Sequence, residues 1–243
     1  MALPSSGVIR LSQIQSEFGG TNPIRLSEYY RNGTFVTSNN TSVPTSGAVD
    51  LSDYYGSLNG IVVTYELIGA GGAGGSGRSD GGGSGTAQAG GATSIEGDGL
   101  NVTAAGGNGG RNGGISRLQP HGGQASHYGA GGAGGGNNSS GGNAPYASHG
   151  AGGGGGGGDA PGLFDHSGSA GVGGNAGQRK TGTVILIPET VLIVRVGMQG
   201  FGSTAGGNYR GGNGASGYVR FQVGTQITEF PNFGTHVYEV PSA

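Results

Sequence analysis

Apolar and polar positions alternate only in short bursts along this chain, and the bursts predict strands. Ile61-Val62-Val63-Thr64-Tyr65-Glu66-Leu67-Ile68 is rich in β-branched residues and stops at Gly69-Ala70-Gly71-Gly72. Thr183–Pro188 and Thr190–Val196 read as two strands flanking a turn at Pro188-Glu189. In Gly217–Val223, Tyr218 and Arg220 alternate against Val219 and Phe221. A final pair, Thr225–Phe230 and Thr235–Val240, straddles Pro231-Asn232-Phe233-Gly234. Residues 1–60 carry a different pattern, three times over. It runs Ile9-Arg10-Leu11-Ser12-Gln13-Ile14, then Ile24-Arg25-Leu26-Ser27-Glu28-Tyr29, then Val49-Asp50-Leu51-Ser52-Asp53-Tyr54. Each unit predicts a short extended piece followed by a helical turn, with the serine as N-cap; Ser12 with Gln15 fits a capping box. Gly19-Gly20, Asn32-Gly33 and Gly56 end the units.

Composition changes the picture for everything between the first and last strands. Glycine is 63 of 243 residues, against roughly 7% in ordinary chains, and 53 of the 63 fall within 69–216. Glycine contributes no side chain to a core and loses the most entropy on ordering. The tract also contains spaced apolar residues, however, and lacks the high net charge of disordered chains: the formal net charge is −2 with 10% charged residues. The tract is therefore expected to be ordered. Chains without Cβ atoms can approach closely enough for neighbouring extended helices of three residues per turn to share backbone hydrogen bonds. Gly129–Gly136 and Ala151–Gly158 suit such a polyglycine-II bundle, whereas collagen needs a strict third-position period and more than the 9 prolines present. The expected fold is mainly β and irregular. A small β-sheet frames a glycine-rich, polyglycine-II-like loop domain (61–223), preceded by a repeat-built N-terminal attachment module (1–60) and followed by a C-terminal strand pair or extension (224–243).

The pattern of a strand, then Gly-Ala-Gly-Gly-Ala-Gly-Gly (69–75), Val-Arg-Val-Gly (194–197) and Gly-Gly-Asn-Gly-Ala-Ser-Gly-Tyr-Val (211–219), resembles the glycine-rich domains of tail-fibre and adhesin proteins of tailed bacteriophages. The Leu-Ser units are similar to modules that recur in tailed-phage structural proteins. The resemblance implies a virion protein, assembled in the host cytoplasm, whose glycine scaffold carries variable loops that bind the bacterial surface. Its implied partners are other virion proteins through the N-terminal module, and a host cell-surface glycan or outer-membrane protein; homo-oligomers are common among such proteins. Gly234–Pro241 reads as the opening strand of a further glycine-rich domain. That departure from a tip adhesin keeps a purely structural tail, collar, baseplate or decoration protein open as the alternative.

Candidate chemistry then sits where glycine is interrupted, since binding residues concentrate on loop tips. The receptor-binding candidates are Arg111, His121, His127, Tyr128, Tyr146, His149, Phe164, His166, Tyr209 and Arg210. Leu11, Leu26, Tyr29, Leu51 and Tyr54 are the attachment candidates in the repeats. His121, His127, His149 and His166, with Asp159 and Asp165, lack tight ligand spacing, so neither a metal nor another cofactor is expected. Gly77-Arg78-Ser79-Asp80-Gly81 matches a nucleophile-elbow pattern only because glycine is so abundant, and Lys180-Thr181 lacks the glycine of a phosphate loop. Catalysis is not indicated. One lysine and balanced charge argue against nucleic-acid binding, which needs clustered cations. No stretch has the roughly 18 apolar residues of a membrane span, and Met1–Gly7 lacks the features of a secretory signal.

Overall fold

The computed structural model describes residues 3–76, 87–111, 122–135, 139–153, 171–203 and 209–241. It is mainly β, with two antiparallel four-stranded sheets and little helix. The strands are β1 (Ile61–Ile68), β2 (Thr93–Gly97), β3 (Leu100–Ala104), β4 (Arg179–Leu186), β5 (Val191–Val196), β6 (Tyr218–Val223), β7 (Gln226–Phe230) and β8 (Gly234–Glu239). One sheet runs β4-β1-β6-β7 and the other β3-β2-β5-β8. Two expectations change here. β4 and β5 do not pair across Pro188-Glu189 but belong to different sheets, and Glu189 takes a positive φ of 65° between them. β7 and β8 likewise divide between the sheets instead of forming one terminal pair.

The chain divides into two compact units. The first comprises Met1–Val63, Thr183–Thr190 and Glu239–Ala243, and the second Thr64–Gly182 and Val191–Tyr238. In the first, α1 (Leu11–Phe18) and two 3-10 turns, Leu26–Glu28 and Leu51–Tyr54, fall on the three repeats. The caps differ from the serine N-caps expected. Each turn begins at the leucine, and the residue after the serine reaches back instead. Gln13 Oε1 accepts from Arg10 N at 2.8 Å, Glu28 Oε2 from Arg25 N at 3.4 Å, and Asp53 Oδ2 from Asp50 N at 2.8 Å. The last residue of every repeat, Ile14, Tyr29 or Tyr54, is fully buried in one core with Leu3, Ile9, Phe18, Val36 and Val43. The Tyr54 hydroxyl donates to the Tyr29 carbonyl at 2.9 Å, and Tyr29 in turn donates to the Gly19 carbonyl at 2.7 Å. Burial pushes the Tyr54 hydroxyl up to about 12.

In the second unit the glycine segments are tied together by backbone hydrogen bonds that repeat every third residue. Seven consecutive N–H groups, from Gly69 to Gly75, all donate to other segments. Gly69, Gly72 and Gly75 donate to Gln178, Asn175 and Val172, each at 2.9 Å. Ala70 and Ala73 donate to Gly91 and Gln88, and Gly71 and Gly74 to Ala215 and Gly212. The carbonyls are used the same way. Ala70 and Ala73 accept from Gly107 and Gly110, Gly71 and Gly74 from Gly200 and Ser203, and Gly72 from Gly153. Among the described residues the 69–76 segment thus has six neighbours, three accepting from it and three donating to it. Three directions at a three-residue repeat are what an extended helix of three residues per turn offers.

The sheets run into this lattice without a break in register. β1 pairs with β6 as Thr64 opposite Gln222 and Ile68 opposite Tyr218, and the next contacts along the same two chains are Gly71 to Ala215 and Gly74 to Gly212. The β2–β3 hairpin turns through Asp98-Gly99, both at positive φ (42° and 76°), as a two-residue primed turn requires. Beyond Thr93 opposite Ala104, its chains continue as Gly90 to Gly107 and Ala87 to Gly110. Side-chain amides satisfy further N–H groups of the lattice. Gln178 Oε1 accepts from Ala105 N, Gln124 Oε1 from Ala176 N and Gln88 Oε1 from Phe201 N, all at 3.2 Å.

Absence of Cβ atoms is what allows this spacing. A Cβ built on Gly71 would overlap the Ala151 carbonyl, and one on Gly72 the Asn108 carbonyl. Positions 70, 73 and 76, also three residues apart, admit Ala, Ala and Ser with their side chains fully buried. Two substitutions within one segment therefore have unequal costs. Gly71→Ala forces a methyl into a backbone carbonyl and is expected to cost about 3 kcal/mol, at the upper end of ordinary overpacking. Ala70→Gly removes a methyl that has room and should cost about 1 kcal/mol. Denaturant unfolding of the two variants checks the difference.

Candidate functional site

The site forms on the face of the β1–β6 pair that carries Glu66, Ile68, Tyr218 and Arg220. Glu66 stands opposite Arg220 and Ile68 opposite Tyr218, so alternation turns Val219, Phe221 and Leu67 to the other face. There Phe221 stacks on Tyr238 with centroids 4.0 Å apart. Two glycine-flanked loops cover the first face. The loop at 126–129 is closed by Ser126 N donating to the Gly129 carbonyl at 2.9 Å. The loop at 144–150 is held by Ala144 N to the Asn213 carbonyl, Ser148 N to the Pro145 carbonyl and Gly150 N to the Ser216 carbonyl.

These loops bring four of the expected residues together with Tyr218. The His149 ring stacks on Tyr218, with centroids 4.7 Å apart and planes 17° apart. Tyr128 packs against Tyr218 at 4.9 Å and edge-on to His149 at 5.7 Å. His127 meets Tyr128 at 5.3 Å, and Tyr146 meets His149 at 6.4 Å. Offset and edge contacts of this kind are favourable beyond the area they bury. The hydroxyls are committed as well. Tyr128 donates to Glu66 Oε2 at 2.9 Å and Tyr218 to Glu229 Oε1 at 2.7 Å, while Arg179 Nε pairs with Glu66 Oε1.

Electrostatics follow from burial. Desolvation raises Tyr218, helped by its bond to the Glu229 carboxylate, and desolvation raises Tyr128 also. For His149 burial opposes the imidazolium and lowers the pKa against a weaker pull from Glu229. Its Nδ1 is buried and, among the described residues, has no hydrogen-bond partner. The arrangement is one of packed rings with two of its tyrosine hydroxyls bonded to carboxylates. Only its rim opens outward: Tyr146 is 68% exposed, and His127 is exposed too.

The other candidates lie elsewhere. Arg111 and Arg210 are exposed on lattice segments through backbone bonds: the Arg111 carbonyl accepts from Val172 N, the Arg210 carbonyl from Gly141 N, and Arg210 N donates to Ser140 Oγ. Tyr209 is half-buried beside Arg210. His121, Phe164 and His166 lie outside the described residues. His149, expected at an open loop tip, is instead nearly buried at 9% exposure. Tyr29 and Tyr54 are corrections in the same sense: at 0% exposure they form the core of their own unit and present nothing to a partner. Leu11 and Leu26 are partly buried against that core, and Leu51 is exposed. Among the described residues no group of three His, Cys, Asp or Glu could hold a metal, and no helix is long and apolar enough to cross a membrane.

Sequence reasoning missed Tyr218, Glu66 and Glu229 as members of the cluster. The signal available was polar and aromatic alternation on β1 and β6, which marked one face as different from the other. It could not say what covered that face. No family model, curated protein or solved structure matches the chain.

Because His149 is harder to protonate when folded than when unfolded, its contribution to stability is complete above its ordinary value of about 6.5 and declines as the pH falls below it. Thermal melts between pH 7.5 and 5 should show the melting temperature falling. His149→Phe, which keeps a ring on Tyr218 without a proton site, should flatten that fall.

Proposed function

We propose that the chain is a virion structural protein of a tailed bacteriophage, a tail-fibre or tail-appendage adhesin that contacts the host surface from a glycine scaffold. The observation that supports this reading is the six-neighbour lattice around 69–76, whose three-residue repeat is the one a polyglycine-II bundle would have. It supports the resemblance to phage glycine-rich adhesin domains at the level of backbone bonding, beyond composition alone. A bundle of this kind holds its loops rigidly without disulfides; the chain has no cysteine. The repeat-built residues 1–60 would then attach the scaffold to other virion proteins, with exposed Leu51 the best placed of the attachment candidates.

The structural alternative has its own support. Tyr128 and His149 direct their rings into the cluster, as packing residues do, and a tail, collar, baseplate or decoration protein without receptor contact would need no more. Immunogold labelling of intact particles, combined with adsorption competition by the purified chain, tests both readings. An adhesin labels an exposed appendage and slows adsorption of the particle that carries it. Labelling without any effect on adsorption favours the structural alternative, and absence of the chain from particles overturns both.

A further inference from the structure

Beside the buried rings lies an exposed aromatic patch that the receptor-binding candidates only touched. Tyr146 and Phe233 are 68% and 61% exposed. Asn232 adjoins both, as the chain neighbour of Phe233 and as the residue whose Oδ1 accepts the Tyr146 hydroxyl. The Asn232 carbonyl is 2.9 Å from His236 Nε2, and the His236 ring rests on Phe230 at 5.2 Å. The turn that carries Asn232 is anchored by Ser216 Oγ, which donates to the Pro231 carbonyl at 3.1 Å. Tyr146 is anchored from behind, by His149 stacked in turn on Tyr218.

We propose that Tyr146, Asn232, Phe233 and His236 form a binding site for a neutral glycan, with the pyranose rings stacked on the two exposed aromatics. The chemistry of the patch selects the ligand class. The four residues include no lysine, arginine, aspartate or glutamate. The carboxylates of the neighbouring cluster, Glu66 and Glu229, already accept from Tyr128 and Tyr218. The patch therefore has no lysine or arginine to pair with a phosphate or a sialic acid and no carboxylate to pair with a cationic peptide. It offers instead flat apolar faces for the C–H side of a sugar ring, with an amide and an imidazole alongside for hydroxyls. Tyrosine supplies contact area at little conformational cost. Tethering of the Tyr146 hydroxyl and of the Asn232 turn reduces the ordering that binding would require.

This site rests on the host-surface reading for its setting but not for its test. Saturation-transfer NMR on the purified full chain uses neutral hexaoses of glucose, galactose and mannose as probes, with polysialic acid as the acidic comparison. At least one neutral hexaose should show transfer, and polysialic acid none. Tyr146→Ala and Phe233→Ala should each weaken that binding at least tenfold with unchanged melting temperature, because both rings are exposed. Arg111→Ala should leave it unaltered. Failure of every neutral hexaose overturns the proposal, as does binding that survives both aromatic substitutions. If the chain adheres to cells and Tyr146→Ala leaves that adhesion intact, the glycan site falls while the host-surface reading stands. Glycan binding lost in both variants, by a chain absent from phage particles, leaves the site and removes the virion reading.

Discussion

Every level of the second unit depends on one contact, a backbone N–H meeting the carbonyl of a neighbouring extended segment with no Cβ between them. In an ordinary domain the backbone satisfies itself within helices and sheets, and side chains fill the space between. Here six segments surround 69–76 so closely that a methyl on Gly71 or Gly72 would occupy the place of a carbonyl. What glycine loses in entropy and apolar burial is offset by dense backbone hydrogen bonding and close dispersion contact. Interruption of the contact at one position leaves polar groups unpaired on both chains, which is why small errors in this tract are expected to matter.

The sheets act as the clamp of this lattice. β1 and β6 set the register of 69–76 against 210–216 through side-chain pairing such as Leu67 with Val219, and the β2–β3 hairpin does the same for 87–91 against 105–111. Glycine segments carry no side-chain pattern that could choose between registers, so strands with a buried face supply it. The same continuity positions the aromatic cluster. Tyr218 lies at the step where β6 becomes lattice, and the 144–150 loop that covers it is anchored by lattice bonds at Asn213 and Ser216.

Much of this was legible in the residues, and the limits have physical causes. β1 and β6 follow from alternation, and the three Leu-Ser units fall on helical turns as expected. The serine cap was misplaced because Gln13, Glu28 and Asp53, one residue further on, reach back to the N-terminal amides. The β2–β3 hairpin announced itself in Asp98-Gly99 but was hidden among glycines of every other kind. β4 and β5 were found as strands, yet a turn at Pro188-Glu189 says nothing about which sheet each chain enters. Partner choice within the lattice is nonlocal, and one glycine segment resembles another. The local trace that does exist is Ala70, Ala73 and Ser76, small residues at every third position. For the site, Tyr128, Tyr146 and His149 were read from loop chemistry, while Tyr218, Asn232 and Phe233 join them only through folding.

Amide hydrogen exchange across Gly69–Gly75 tests the central claim most directly. If the three-residue lattice is the core of the unit, these seven amides exchange as slowly as those of Leu67 and Val219, and all are released together on global unfolding. Exchange at the rate of an unstructured chain, with β1 and β6 still protected, would contradict it.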